Sequence, residues 1–164
     1  MFGCIDEESG VFNREYLLFQ VRENLSTFNR YRISFSVLCI QVDQIDHFQA
    51  AHGIRAVAAI QRAVAQTLGN SLRPTYLLGR LNERTFLAVL SECKVDEIES
   101  VAKRLTKMVS YTEINWWGDK VSVTASFGGT SPAAGDTVDS IVNRAEAALR
   151  GGASASGKGI KVLV

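Results

Sequence analysis

Apolar residues recur along this chain with two alternating periods. Leu18, Val21, Leu25 and Phe28 fall at helical spacing and predict an amphipathic helix over about residues 14–30. The next stretch, "RISFSVLCIQV", is β-branched and aromatic. It alternates at first and becomes continuously apolar from Val37 to Ile40, the pattern of a central strand covered on both faces. Val57, Ile60, Val64 and Leu68 mark a second helix, with Gly69 as its stop. After Pro74, "TYLLGRL" reads as a strand and "RTFLAVL" as its hairpin partner, with the polar run Asn82-Glu83-Arg84-Thr85 at the tip. Val95, Ile98, Val101, Leu105 and Met108 trace a third helix, with Asp96 and Glu97 suited to its first turn. "VSVTASFG" alternates strictly and predicts one strand with a single buried face. Val138, Ile141, Val142, Ala145 and Leu149 make a last helix, and the loop "GGASASGKG" leads to a short terminal strand.

From Ile33 to Gly128 the order is therefore β-α-β-β-α-β. That is the split, ferredoxin-like arrangement of an α+β protein: a central, mainly antiparallel sheet with its two helices on one face. Extra helices precede and follow this core. The chain of 164 residues suits a single domain over 1–164, and 46% hydrophobic with 21% charged residues is globular composition. A formal charge of +1 gives no overall attraction to nucleic acid or to an anionic membrane. No apolar run approaches the ~20 residues of a membrane span. Cys4, Cys39 and Cys93 are odd in number and far apart, so they form neither a disulfide framework nor a zinc pattern; a reducing cytoplasm is expected. Cys39, in mid-strand, is expected to be packed.

Three further groups draw the eye. His47 and His52 with Asp43 and Asp46 suggest a metal cluster, but the histidines lack the i, i+4 spacing that sets two ligands on one helix face. They read as a polar loop or helix surface. Trp116-Trp117 has two readings: one indole in the core with its neighbour outside as a contact surface, or a hairpin-like turn in which both rings pack locally. "GGASASGKG" lacks the Lys-Ser/Thr ending and following helix of a phosphate loop, and reads as a linker.

Four segments together carry a resemblance. "DEESGVFNR" (6–14) is similar to the D-x-L-T-G-L-x-N-R opening of GGDEF domains, the diguanylate cyclase family. "RPTYLLGRLNERTFLAVL" (73–90) resembles that family's R-x-x-D-x-x-x-R-x-G-G-D-E-F-x-x-x-L segment, "VSVTASFGG" its V-T-V-S-I-G strand, and "NRAEAALR" its A-D-x-A-L-Y helix. They occur in family order over nearly the whole chain. The resemblance implies the nucleotidyl cyclase type of the β-α-β-β-α-β core and a piece of a larger bacterial signalling protein.

The same resemblance implies that the chemistry is degenerate. Asn82 and Glu83 take the places of glycines that admit GTP, Arg84 and Thr85 the places of the acidic pair that holds Mg²⁺, and Phe86 keeps the phenylalanine. The first metal aspartate of strand one falls on Gln41, while the second remains as Asp43. An alternative register uses Asp43 and Asp46, again leaving one acidic ligand. The guanine-reading Asn and Asp become Gln49 and Ala58; the phosphate-binding Lys becomes Ala153, with Lys158 left for the neighbouring basic role. A catalytically inactive, regulatory or protein-interaction module is expected, with no cofactor and with a protein partner or self-association through Trp116 or Trp117. The family's product-binding site reads Arg73-Pro74-Thr75-Tyr76, with Arg104 from the next helix. These are either solvated surface arginines or a pair that grips phosphate or guanine, as a cyclic di-GMP receptor would.

Overall fold

The computed structural model describes residues 3–152 and 159–164. Helix α1 (Arg14–Tyr31) starts at Asn13, whose side-chain oxygen accepts from the Tyr16 N–H at 3.0 Å. Strand β1 (Phe35–Val42) follows, then a short helix α2 (Ile45–His52) and the long helix α3 (Ile54–Ser71). The hairpin β2 (Leu77–Arg80) and β3 (Thr85–Ser91) precedes α4 (Ile98–Ser110). Next come a second hairpin, β4 (Glu113–Trp116) and β5 (Asp119–Ser122), then β6 (Ala125–Thr130), α5 (Val138–Gly152) and β7 (Ile160–Leu163). The main sheet has the order β2-β3-β1-β6-β7, antiparallel except for the β6–β7 pair.

Alternate residues of β1 point into two cores. Leu38, Ile40 and Val42 meet α3 and α4 through Ile60, Val64, Leu105 and their neighbours. Phe35, Val37 and Cys39 meet α1 and α5 through Leu17, Val21, Ile141 and Leu149. The core helices thus share one face as the element order predicts, and the two flanking helices cover the other. Each large side chain sequestered this way contributes roughly 1.5–3 kcal/mol before entropy is subtracted. Cys39 is packed, and burial pushes its thiol up to about 12. Among the described residues no helix is long and apolar enough to cross a membrane.

Two expectations need correction. Gly69 does not stop its helix: α3 runs on to Ser71, and the Leu72 N–H still donates to Leu68 O at 3.0 Å. Leu72 then turns extended and packs on the core, two residues before Pro74. "VSVTASFG" is two strands, not one. Its first half pairs with β4 in a separate two-stranded sheet, while its second half sits between β1 and β7 and is buried on both faces. The polar half of the alternation is small rather than solvated: Ser126, Gly128 and Thr130 make room for α5 and for hydrogen bonds.

The turn into α5 is tied by Asp136, which accepts from Arg144 at 2.7 Å, from the Ala133 N–H at 2.7 Å and from Ser140 at 2.7 Å. The Arg144 hydrogen bonds hold this carboxyl well below its ordinary 3.8, against a desolvation that pushes it up. A depressed folded value stabilises above the unfolded value, and that stability drains as pH falls through the folded one. Asp136→Asn is therefore expected to be less stable than the parent at pH 6. Below pH about 4 the gap narrows, as urea denaturation at several pH values will read.

Candidate functional site

The hairpin tip is closed by its own side chains. The Asn82 side-chain oxygen accepts from the backbone N–H of Arg84 at 2.9 Å and of Thr85 at 3.0 Å, an Asx turn that does the work of a tight bend. No residue from 81 to 84 takes a positive φ, so the bend needs no glycine. Three side chains grip its carbonyls, one from β2 itself and two from helices. Arg80 donates to Asn82 O at 3.2 Å and Glu83 O at 2.8 Å, Gln61 of α3 to Glu83 O at 3.2 Å, and Arg14 of α1 to Leu81 O at 2.6 Å.

Arg80 is the centre of this arrangement, with its side chain only 10% exposed. Its guanidinium also pairs with Asp6 and Glu8, each at 3.1 Å, and lies over the Phe86 ring. The opening segment is thereby pinned to the edge of β2, where Phe12 bonds to Leu78 and Arg80. Burial raises the Asp6 carboxyl, but the Ser9 hydrogen bonds and Arg80 outweigh it and leave it lowered. The structural roles of Arg80 and Gln61 were not foreseen from the sequence. The available signal is an arginine inside an apolar strand, which demands partners wherever it is buried.

Of the positions implied to hold metal, Gln41 and Thr85 are brought face to face, while Asp43 and Arg84 engage other partners. Gln41 stands directly across from Thr85 in the β1–β3 ladder, and across from Ser126 on β6. Thr85 is buried, and its hydroxyl has no hydrogen-bond partner among the described residues. The Asp43 carboxylate accepts from Thr124 at 2.6 Å and Ser126 at 2.7 Å, which fastens it to β6. Arg84 reaches Asp46 at 2.7 Å, so a cation fills the space implied for an acid. Magnesium takes hard oxygen donors, with carboxylate charge to offset its own. This set supplies an amide, a hydroxyl, a guanidinium and one carboxylate already bonded; it does not fit the ion. Among the described residues, no three His, Cys, Asp or Glu side chains gather as a metal site, His47 and His52 included.

Gln49 and Ala58, the positions implied for guanine, line a narrow hollow of about 190 Å³ with Ile54, Glu83 and Arg84. Arg73, Tyr76 and Arg104 also converge, around a hollow of about 280 Å³ on the opposite end of β2, together with Asp96 and Glu97. Arg73 stacks 5.8 Å over the Tyr76 ring, and Arg104 donates to Ser71 O at 2.9 Å. Burial first, and then the neighbouring Cys93, raises the Tyr76 phenol. Lys158 and Ala153 lie outside the described residues.

The two tryptophans take a part of each reading. They sit at the tip of the β4–β5 hairpin, where Trp117 and Gly118 have φ of 50° and 87°, the positive pair of a type I′ turn. Trp116 packs on the core, whereas Trp117 is 90% exposed, edge-on to its neighbour at 6.5 Å.

The model of the diguanylate cyclase GGDEF domain matches residues 4–158. Diguanylate cyclase A of Treponema denticola is 26% identical over 140 residues, 83% of this chain and 38% of the relative. The chain thus spans well under half of that curated protein. The diguanylate cyclase SiaD of Pseudomonas aeruginosa, solved in complex with its activator SiaC, superposes with a TM-score of 0.92 at 26% identity, over 97% of this chain and 61% of that one. The GGDEF domain of DgcB from Caulobacter crescentus, solved with c-di-GMP, gives 0.91 at 15% identity over 99% and 94%, a likeness of fold. With the family model over nearly its full length and the β-α-β-β-α-β core in place, this chain belongs to the GGDEF domain family.

Proposed function

We propose that this GGDEF domain does not turn over GTP, and that it works as a regulatory or protein-interaction module in cyclic di-GMP signalling. The observation that carries the reading is the hairpin tip, where Arg84 is paired with Asp46 at 2.7 Å and Asn82 closes the turn on itself. A side chain on each of Asn82 and Glu83 occupies the approach that glycines would leave to a nucleotide. A guanidinium beside the triphosphate's metal would repel it, at a cost that rises as water is excluded. Calorimetry with GTP and Mg²⁺ is expected to give no saturable heat; Mg²⁺-dependent binding would overturn the reading.

A second reading has its own support. Arg73, Tyr76 and Arg104 face one hollow, and Asp96 and Glu97 bring to it the carboxylates that Tyr76 itself lacks. Two guanidiniums for phosphate or the guanine edge, a ring for stacking and an acid for the guanine N–H groups are the kinds of group that a receptor for cyclic di-GMP uses. In that case cyclic di-GMP alone gives micromolar binding, and Arg104→Ala removes it; no heat up to high-micromolar ligand would sink this second reading.

A further inference from the structure

A groove of about 620 Å³ runs between the C-terminal half of α1 and the turn into α5. It lies far from the hairpin: Arg14 at the start of α1 touches Leu81, and Arg30 in its last turn is roughly 24 Å further along the axis at the α-helical rise. Leu25 and Val138 give the groove an apolar floor, and Arg22 and Arg30 project from the α1 wall. Both guanidiniums are held over rings of their own helix, Arg22 at 5.9 Å from Phe19 and Arg30 at 6.0 Å from Tyr31. Among the described residues neither has a carboxylate within ion-pair distance. The acid on the opposite wall, Asp136, is already consumed by Arg144 and two further donors. The groove is therefore lined by two arginines that have no ion pair among the described residues, each set against an aromatic ring, above Leu25 and Val138.

We propose that this groove docks an acidic segment of a partner protein, seating an apolar side chain between Leu25 and Val138 and carboxylates on Arg22 and Arg30. The complementarity is of charge at the rim and of apolar surface at the floor, the usual division of an interface. The two arginines stand roughly 12 Å apart along the helix, the reach of about two helical turns of peptide rather than of one small anion. A single nucleic-acid strand, with a charge about every 3.4 Å of axis, would call for a denser row of cations than two. The proposal rests on the interaction role proposed above and is independent of the loss of turnover, because it uses none of the hairpin residues.

Fluorescence anisotropy of labelled probes tests it in the absence of nucleotide. The probes are a twelve-residue peptide with a central Leu flanked by glutamates, the same peptide with lysines, and a short single-stranded DNA. The acidic peptide is expected to bind saturably, more weakly at higher salt, and to lose about tenfold or more in affinity with Arg22→Glu/Arg30→Glu. If that variant melts lower than the parent, Arg22→Gln/Arg30→Gln serves in its place. No saturation by the acidic peptide, equal binding of the lysine peptide, tighter binding of the DNA, or undiminished binding by the folded variant would each overturn the proposal. GTP and Mg²⁺ calorimetry on the same preparation separates this failure from failure of the inactive reading.

Discussion

Gly128→Ala is expected to be the most damaging glycine-to-alanine change among the described residues. The new Cβ would stand 2.1 Å from the Leu149 backbone nitrogen, 2.5 Å from its Cα and 2.6 Å from Ala145 O. These are backbone atoms in the second half of α5, so no rotamer change relieves the clash and the helix must lift from β6. Overpacking of a rigid core costs about 1–3 kcal/mol and occasionally more. Here the upper end is expected, because the displaced helix also carries Ile141, Ala145 and Leu149 of the second core. Gly69→Ala is the control of opposite sign. Gly69 lies inside α3 with open space around its Cα, so alanine there is expected to stabilise by up to about 1 kcal/mol. Urea midpoints of the two variants against the parent check both; equal midpoints for Gly128→Ala and the parent would refute the close packing of α5 on β6.

Arg80→Ala is the second large effect. The change takes the guanidinium from Asp6, which keeps only Ser9, from Glu8 and from Asn82 O. It leaves Glu83 O to Gln61 alone, and reduces the link between the opening segment and the hairpin to the Phe12 backbone bonds. Breaking one member of a mostly buried ionic network typically costs about 3–5 kcal/mol; with Glu8 half exposed, about 2–4 is expected here. Arg80→Lys restores little, since one ammonium on a flexible stem cannot span two carboxylates and two carbonyls held by a planar fork. Thermal melting of both variants, with limited proteolysis of the opening segment, reads the loss. A lysine variant as stable as the parent would show that charge alone, without the fork geometry, holds the hairpin.

Much of this architecture was legible before any coordinates. The periodicity of α1, α4 and α5 and the continuous apolar run of β1 located those elements closely, because each has a face or faces fully committed to a core. What was missed follows from local competition. The short helix α2 is marked by no apolar stripe beyond Ile45 and Phe48, and it stays polar on its outer side. The break at Val123 and Thr124 leaves no mark in the alternation. It comes from Asp43, eighty residues away in sequence, whose N–H and carboxylate both engage Thr124. At the candidate site the resemblance named the positions, and the structure shows which of them lie side by side. That Gln41 faces Thr85 follows from register, which no local pattern encodes. That Arg84 finds Asp46, and that the tip turns on Asn82 rather than glycine, are contacts between short polar side chains with no periodic signature.

The proposed function requires that this hairpin does not turn over GTP. The most direct measurement is chromatographic detection of cyclic di-GMP after incubating the purified domain with GTP and Mg²⁺, beside an active GGDEF domain as control. No product above the enzyme-free blank is expected, at every protein concentration at which the control produces it. Product that scales with the amount of this domain, and is abolished by chelating the metal, would contradict it.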